Sequence, residues 1–220
     1  MLITGKGGNT HYTARQVCLM QRLRQLWEQH VYWTRFFIIS TAAGLADLSP
    51  VTDRLLQNPK DFARALTPFF GARTAGQFGD LLTEHLEIGG ELVTDLKNDE
   101  TAKADDARRR WYANADAISA FLAGINACWN EEKWRKFFYS HLEMTEKEAA
   151  LRLQSDYAAN IRTFDQIETE ALRVADYMFC GLAMRCRGMH NGRHPAVSPA
   201  HVKEERTLAC TQSANSGVDR

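Results

Sequence analysis

The stretch FGDLLTEHLEIGGELVTDL, from Phe78 to Leu96, decides how this chain is read. Its apolar residues Phe78, Leu81, Leu82, Ile88, Leu92 and Leu96 recur at the three-and-four spacing of one buried helical face. His85 stands in that stripe, three residues after Leu82 and three before Ile88. A second stretch, WRKFFYSHLEM from Trp134 to Met144, repeats the arrangement. An aromatic lies seven residues before the histidine, large apolar residues lie four and three before it, and His-Leu-Glu follows. Two helices that each aim a histidine inward are the most informative feature of the sequence.

Working outward, the pattern is helical from about Tyr12 to Ala46, with Leu19, Leu23, Leu26, His30, Trp33 and Phe37 on one side. Gly44 and Leu48-Ser49-Pro50 end it. Ser49 is placed to cap a short helix from Pro50 to Gln57, and Asn58-Pro59 opens a second one, Pro59 to Leu66, closed by Pro68 and Gly71. The central helix then runs from Arg73 to Lys97. Gly89-Gly90 within it costs about 1 kcal/mol per glycine relative to alanine, but lets a neighbouring helix come close. Lys97 to Arg110 is polar on all sides, and Arg108-Arg109-Arg110 beside so many acids reads as a solvated helix start. Trp111 to Ile125 is helical again, with Asn114 in its stripe and Asp116 just off it. Asn130 caps a helix over 131–143. Thr145-Glu146-Lys147-Glu148 matches a capping box, which predicts a fresh helix from there to about Met184. Its seam is Tyr157, Ile161, Phe164, Glu168, Ala171, Ala175, Met178 and Leu182.

Period-two alternation is absent, so the fold class is all-α: an up-down bundle of four to five long helices plus two short ones. The likeness of the segments before His85 and His141 points to a duplicated helical hairpin. The organisation expected is a flexible lead-in at 1–10, one bundle domain at 11–186 and a disordered tail at 187–220. The 27 basic and 27 acidic residues balance, which argues against a nucleic-acid or anionic-membrane footprint. No apolar run is long enough to span a bilayer, and the N-terminus lacks a secretory h-region, so the expected location is cytoplasmic. The five cysteines have no zinc-type spacing and read as reduced thiols. The five tryptophans read as packing between helices. Lys6-Gly7-Gly8-Asn9 follows no strand, so it is not a phosphate loop.

His30, His85, His141 and Glu168 each occupy a core-facing position on a different helix. An unpaired buried polar group costs on the order of 1–3 kcal/mol, so such groups find one another or a common ligand. Inward histidines and carboxylates from separate helices are how bundles build metal sites, and this donor set suits zinc, iron or manganese. Asp116, Asn114, Glu84 and Asp165 are candidates for ligands or outer supports. Neither a Glu-x-x-His pair nor a core His-x-x-x-His pair occurs; His190 and His194 lie in the tail. The alternative is a non-enzymatic helical protein whose polar core sets helix register and whose surface takes a partner or a second copy.

The stretches LWEQHVYWTR (26–35), VTDRLLQNP-x-DF (51–62), LTPFFG (66–71), LLTEHL (81–86), RWYANAD (110–116) and FDQIETEALRVAD (164–176) resemble a family of small helical proteins from spore-forming bacteria. That family is often given the name acetylglutamate kinase. The likeness covers roughly residues 21–185 and carries no catalytic residues over. Its name implies a phosphotransferase, whereas amino-acid kinases are built on an α/β sheet with glycine-rich phosphate loops, and this chain reads as all-α.

Overall fold

The computed structural model describes residues 12–191, with side chains to Met184. The glycine-rich lead-in and the tail beyond Asn191 lie outside the described residues. Within them the chain forms α1 (Ala14–Ala43), α2 (Leu48–Leu55), α3 (Gln57–Lys97), α4 (Thr101–Ile125), α5 (Glu131–Leu153) and α6 (Tyr157–Asn191), and no strand. The all-α bundle is therefore the fold. None of the described helices is long and apolar enough to cross a membrane.

The ends of these helices follow local chemistry. Thr13 and Gln16 form a reciprocal capping box at the start of α1, and Gly44 in the left-handed region (φ 64°) closes it. α3 is two limbs joined at Gly71, whose φ of 78° and ψ of 161° suit glycine alone. The short helix expected over 59–66 is the first limb, and Pro68 is tolerated near its end. α2 begins at Leu48 rather than Pro50. Pro50 falls in the first turn, where no intrahelical donor is needed. The break expected at Thr145 does not exist: α5 runs unbroken from Glu131 to Leu153. Trp134, Phe138, His141, Leu142, Thr145, Glu148 and Ala149 form one continuous buried stripe on it, and this tertiary burial overrides the capping pattern. The real break comes at Ser155, with φ 62°, and Asp156 accepts the Ala159 amide at 3.0 Å to start α6. α6 also continues through 187–191, where the sequence suggests the tail begins.

Neighbouring long helices run antiparallel. Arg24 meets Asp176 while Tyr32 meets Glu168 on α1 and α6; Arg108 meets Glu146 while Asp116 meets Arg135 on α4 and α5. His85–Asn114 and Glu91–Arg110 show the same for α3 and α4, and Asn130–Tyr177 and Glu148–Asn160 for α5 and α6. It follows that α1, the second limb of α3 and α5 run in one direction. The arginine run 108–110 is spent on Glu146, Asp105, Asp106 and Glu91, as its acidic neighbours suggest. One core of leucine, phenylalanine and tryptophan fills the centre of the bundle.

Two glycines set close approaches. A Cβ at Gly89 would sit 3.0 Å from Trp111 Cζ2, and one at Gly181 would overlap the Trp129 indole at Nε1. Trp129 is buried and cannot swing away into solvent. Gly181→Ala is therefore expected to cost about 1–3 kcal/mol by overpacking. Gly76→Ala, with nothing within 4 Å of the added carbon, should gain about 0.5–1 kcal/mol. Urea denaturation of the two variants checks this, and equal midpoints would contradict the packing of Trp129 on α6.

Candidate functional site

The three core histidines do come together. His30 on α1, His85 on α3 and His141 on α5 are all buried. Their ring centroids stand 5.6 Å apart for His30–His141, 6.4 Å for His30–His85 and 6.5 Å for His85–His141. The parallel course of their helices puts the rings at one level. Trp27 and Phe138 pack against His30 and His85 respectively, and Trp111 lies 5.3 Å from the His85 ring.

Two of the imidazoles are oriented by buried amides. Asn58 Nδ2 donates to the Leu26 carbonyl at 2.9 Å, so its Oδ1 faces His30 Nδ1 at 3.2 Å. Asn114 Nδ2 donates to the Leu81 carbonyl at 3.2 Å and to Glu84 Oε2 at 3.0 Å, so its Oδ1 faces His85 Nδ1 at 3.0 Å. An amide oxygen only accepts, so in both pairs the imidazole donates from Nδ1 and its Nε2 carries a lone pair. His85 Nε2 is buried and has no hydrogen-bond partner.

Burial keeps all three rings neutral. It pushes His30 down to about 4 from an ordinary 6.5, against a small opposing effect of the Asn58 bond. It pushes His85 down to about 3, helped by His30. His141 lies well below the usual histidine range, from burial first and from His30 and His85 next. The three rings line a cavity of about 20 Å³, with Thr34, Gly89 and Thr145 among its other walls. That is room for about one water molecule or one ion.

Glu168, expected beside the histidines, is half-buried and instead accepts the Tyr32 hydroxyl at 2.6 Å. Asp116 is engaged by Arg135 Nε at 2.7 Å and by Tyr139, and Asp165 is exposed. Glu84 is exposed and reaches the centre only through Asn114. The buried carboxylates are ones the sequence reading passes over. Glu148 is fully buried, bonded to Arg35 at 2.5 Å, and raised by burial to about 7. Glu170, also raised by burial, lines a small second cavity of about 10 Å³ with His141, Trp27 and Phe138, and its Oε2 has no partner. Among the described residues no set of three or more His, Cys, Asp or Glu side chains is arranged to hold a metal ion as it stands. Cys128 and Cys180 are exposed thiols away from the centre.

Neutral imidazoles tie stability to pH. The unfolded chain takes up protons near 6.5, whereas the folded chain refuses them at His30 down to about 4 and at His85 down to about 3. The unfolded state binds more protons over that interval, so stability falls as the pH drops from about 6.5 towards 4. Glu148 acts in the opposite sense, because its folded form holds a proton up to about pH 7. His85→Gln, which keeps a donor for Asn114, should remove roughly 3 kcal/mol of the loss between pH 6.5 and 4. Urea midpoints across this range measure it. A variant profile parallel to that of the parent would mean that the folded protein accepts the proton.

Comparison with protein-family models, with curated proteins and with solved structures finds no match, so function has to be read from the residues themselves.

Proposed function

We propose that this protein is a helical-bundle metal-binding protein whose His30, His85 and His141 close on one divalent first-row ion. The observation that carries this reading is the pairing of a cavity sized for one ion with three neutral imidazoles, two of them held so that Nε2 is available. Metal ligation needs the neutral ring, and outer amides that bond the second nitrogen are the usual support for such ligands. Three nitrogen donors favour zinc or iron over manganese. Three imidazoles on one ion at about 2.0–2.1 Å per bond bring ring centroids to roughly 5–5.5 Å. Binding therefore shortens the two longer ring separations by about 1–1.5 Å, within the play of side-chain torsions. Glu170, which lines a small cavity with His141, is a carboxylate that could serve as a further support.

A second reading has its own observation. The rings now stand too far apart to share an ion, and His30 and His85 already have amide partners. On this reading the polar core fixes helix register in a non-enzymatic protein.

Metal content separates the two. The full chain, untagged and with His190, His194 and His201 replaced by glutamine, is expected to carry or take up one zinc or iron ion per chain by mass spectrometry. His85→Ala and His141→Ala should lose it with helical circular dichroism retained, and Asn114→Ala should weaken it about 10–100-fold. Absence of uptake at millimolar zinc or iron would leave the register reading standing alone.

A further inference from the structure

An open groove of about 890 Å³ runs between α2, α3 and α4, in front of the histidine cavity. The groove and the cavity share four walls: Phe37, Leu55, Leu86 and Gly90. Gly90 has no side chain, so the half-buried Phe37 ring lies directly on α3, with Cζ 3.3 Å from where a Cβ would stand. Phe37 is thus the aromatic one of the four residues between the groove and the cavity that His85 lines, and His85 Nε2 is buried and unpartnered.

The groove has an apolar floor and an acidic edge. Glu87, Glu91 and Asp95 follow one another at every fourth position of α3, so they form a row along it. Arg110 answers the middle one at 2.5 Å and also binds Asp106 at 2.8 Å, while Lys103 is held by Glu100 at 2.6 Å. Neither Glu87 nor Asp95 stands in an ion pair among the described residues, and the two are about 12 Å apart along the helix at 1.5 Å per residue. A chain of methylenes would lie on Phe37, Leu55 and Leu86, with an ammonium at each end carboxylate.

We propose that this groove is a ligand site for a linear aliphatic polyamine and is the entrance to the histidine cavity, with Phe37 as the gate. The inference rests on the histidine cavity as the functional centre, but not on its holding a metal. Two cavities sharing the Phe37 wall, a buried imidazole nitrogen behind it, and charge and spacing in front of it each contribute.

The test uses the full chain freed of metal by dialysis against a chelator. Calorimetric titration with spermidine at low ionic strength should show one saturable site. Octane-1,8-diol and octanedioate, of similar length but neutral or opposite charge, should show none. Glu87→Gln and Asp95→Asn should each weaken spermidine at least five-fold, whereas Glu132→Gln on the far helix α5 should change nothing. Diethyl pyrocarbonate, which acylates neutral imidazole, should modify His85 at least ten-fold faster in Phe37→Ala, or in Phe37→Leu if the alanine variant loses helical dichroism. Spermidine should protect His85 in the parent chain. No saturable binding, equal binding of the diol, or equal weakening by Glu132→Gln overturns the ligand assignment. Unchanged His85 modification in the gate variant overturns the entrance. Because every arm is run without metal, these failures are distinct from a failure of metal binding.

Discussion

Three imidazoles buried within one ring's width of each other, with no ion pair to any of them among the described residues, set the terms for the rest of this bundle. Protonating any one would place a cation in a low-dielectric core next to two more groups of the same kind, so the folded state keeps all of them neutral. Neutral imidazole still needs a definite tautomer, and Asn58 and Asn114 supply it for two of the three rings. The amides are pinned in turn by the carbonyls of Leu26 and Leu81. Five helical segments therefore meet at this one level: α1, both limbs of α3, α4 and α5. Sliding any of them by one residue moves its contribution by about 1.5 Å and rotates it by about 100°, which breaks the set.

Full charge is kept a short distance away. Arg35 and Glu148 form a buried pair beyond the histidines on α1 and α5, with Arg35 also over the Phe164 ring at 4.6 Å and Asn160 bonded to the Glu148 carbonyl at 2.7 Å. A buried pair of this kind is weak evidence for stability, since desolvation offsets most of its attraction. Its geometric effect is clearer. It ties α1, α5 and α6 together beside the small apolar cluster in which Ile38, Val93 and Ala149 join α1, α3 and α5.

The parts of this arrangement legible in the sequence are those carried by helical periodicity. His30, His85 and His141 stand in unbroken apolar stripes, as does Asn114, and the bundle follows from the same stripes. Asn58 was not legible because Asn-Pro reads as chain punctuation, and here it is the first turn of a helix. Glu148 was hidden by a capping pattern that the continuous buried face of α5 outweighs. Glu168 shows a different failure. The seam drawn through it has a strict 3.5-residue period, whereas a straight helix repeats every 3.6 and drifts about 20° per heptad. The seam holds from Ala171 to Leu182 and at Phe164, but Tyr157 and Ile161 are exposed and Glu168 is half-buried, while Asn160, Thr163 and Ile167 beside them are buried.

The parallel course of α1, α3 and α5 also explains why there is a cavity at all. Each histidine has large apolar residues seven and three positions before it: Leu23 and Trp27, Phe78 and Leu82, Trp134 and Phe138. Because side chains lean towards the N-terminus, these six pack into one layer on one side of the rings, with Trp27, Phe138 and Trp134 in contact. Four positions after each histidine the residue is small: Thr34, Gly89 and Thr145. Those three stand on the other side of the rings, and the space they leave is the cavity. Protein interiors are otherwise close-packed, and a polar core whose sole task was to lock helices together would be better served by leucine at these positions. A sequence that is large, large, histidine, small on three parallel helices builds an apolar floor, a layer of imidazoles and a small polar-lined cavity in that order.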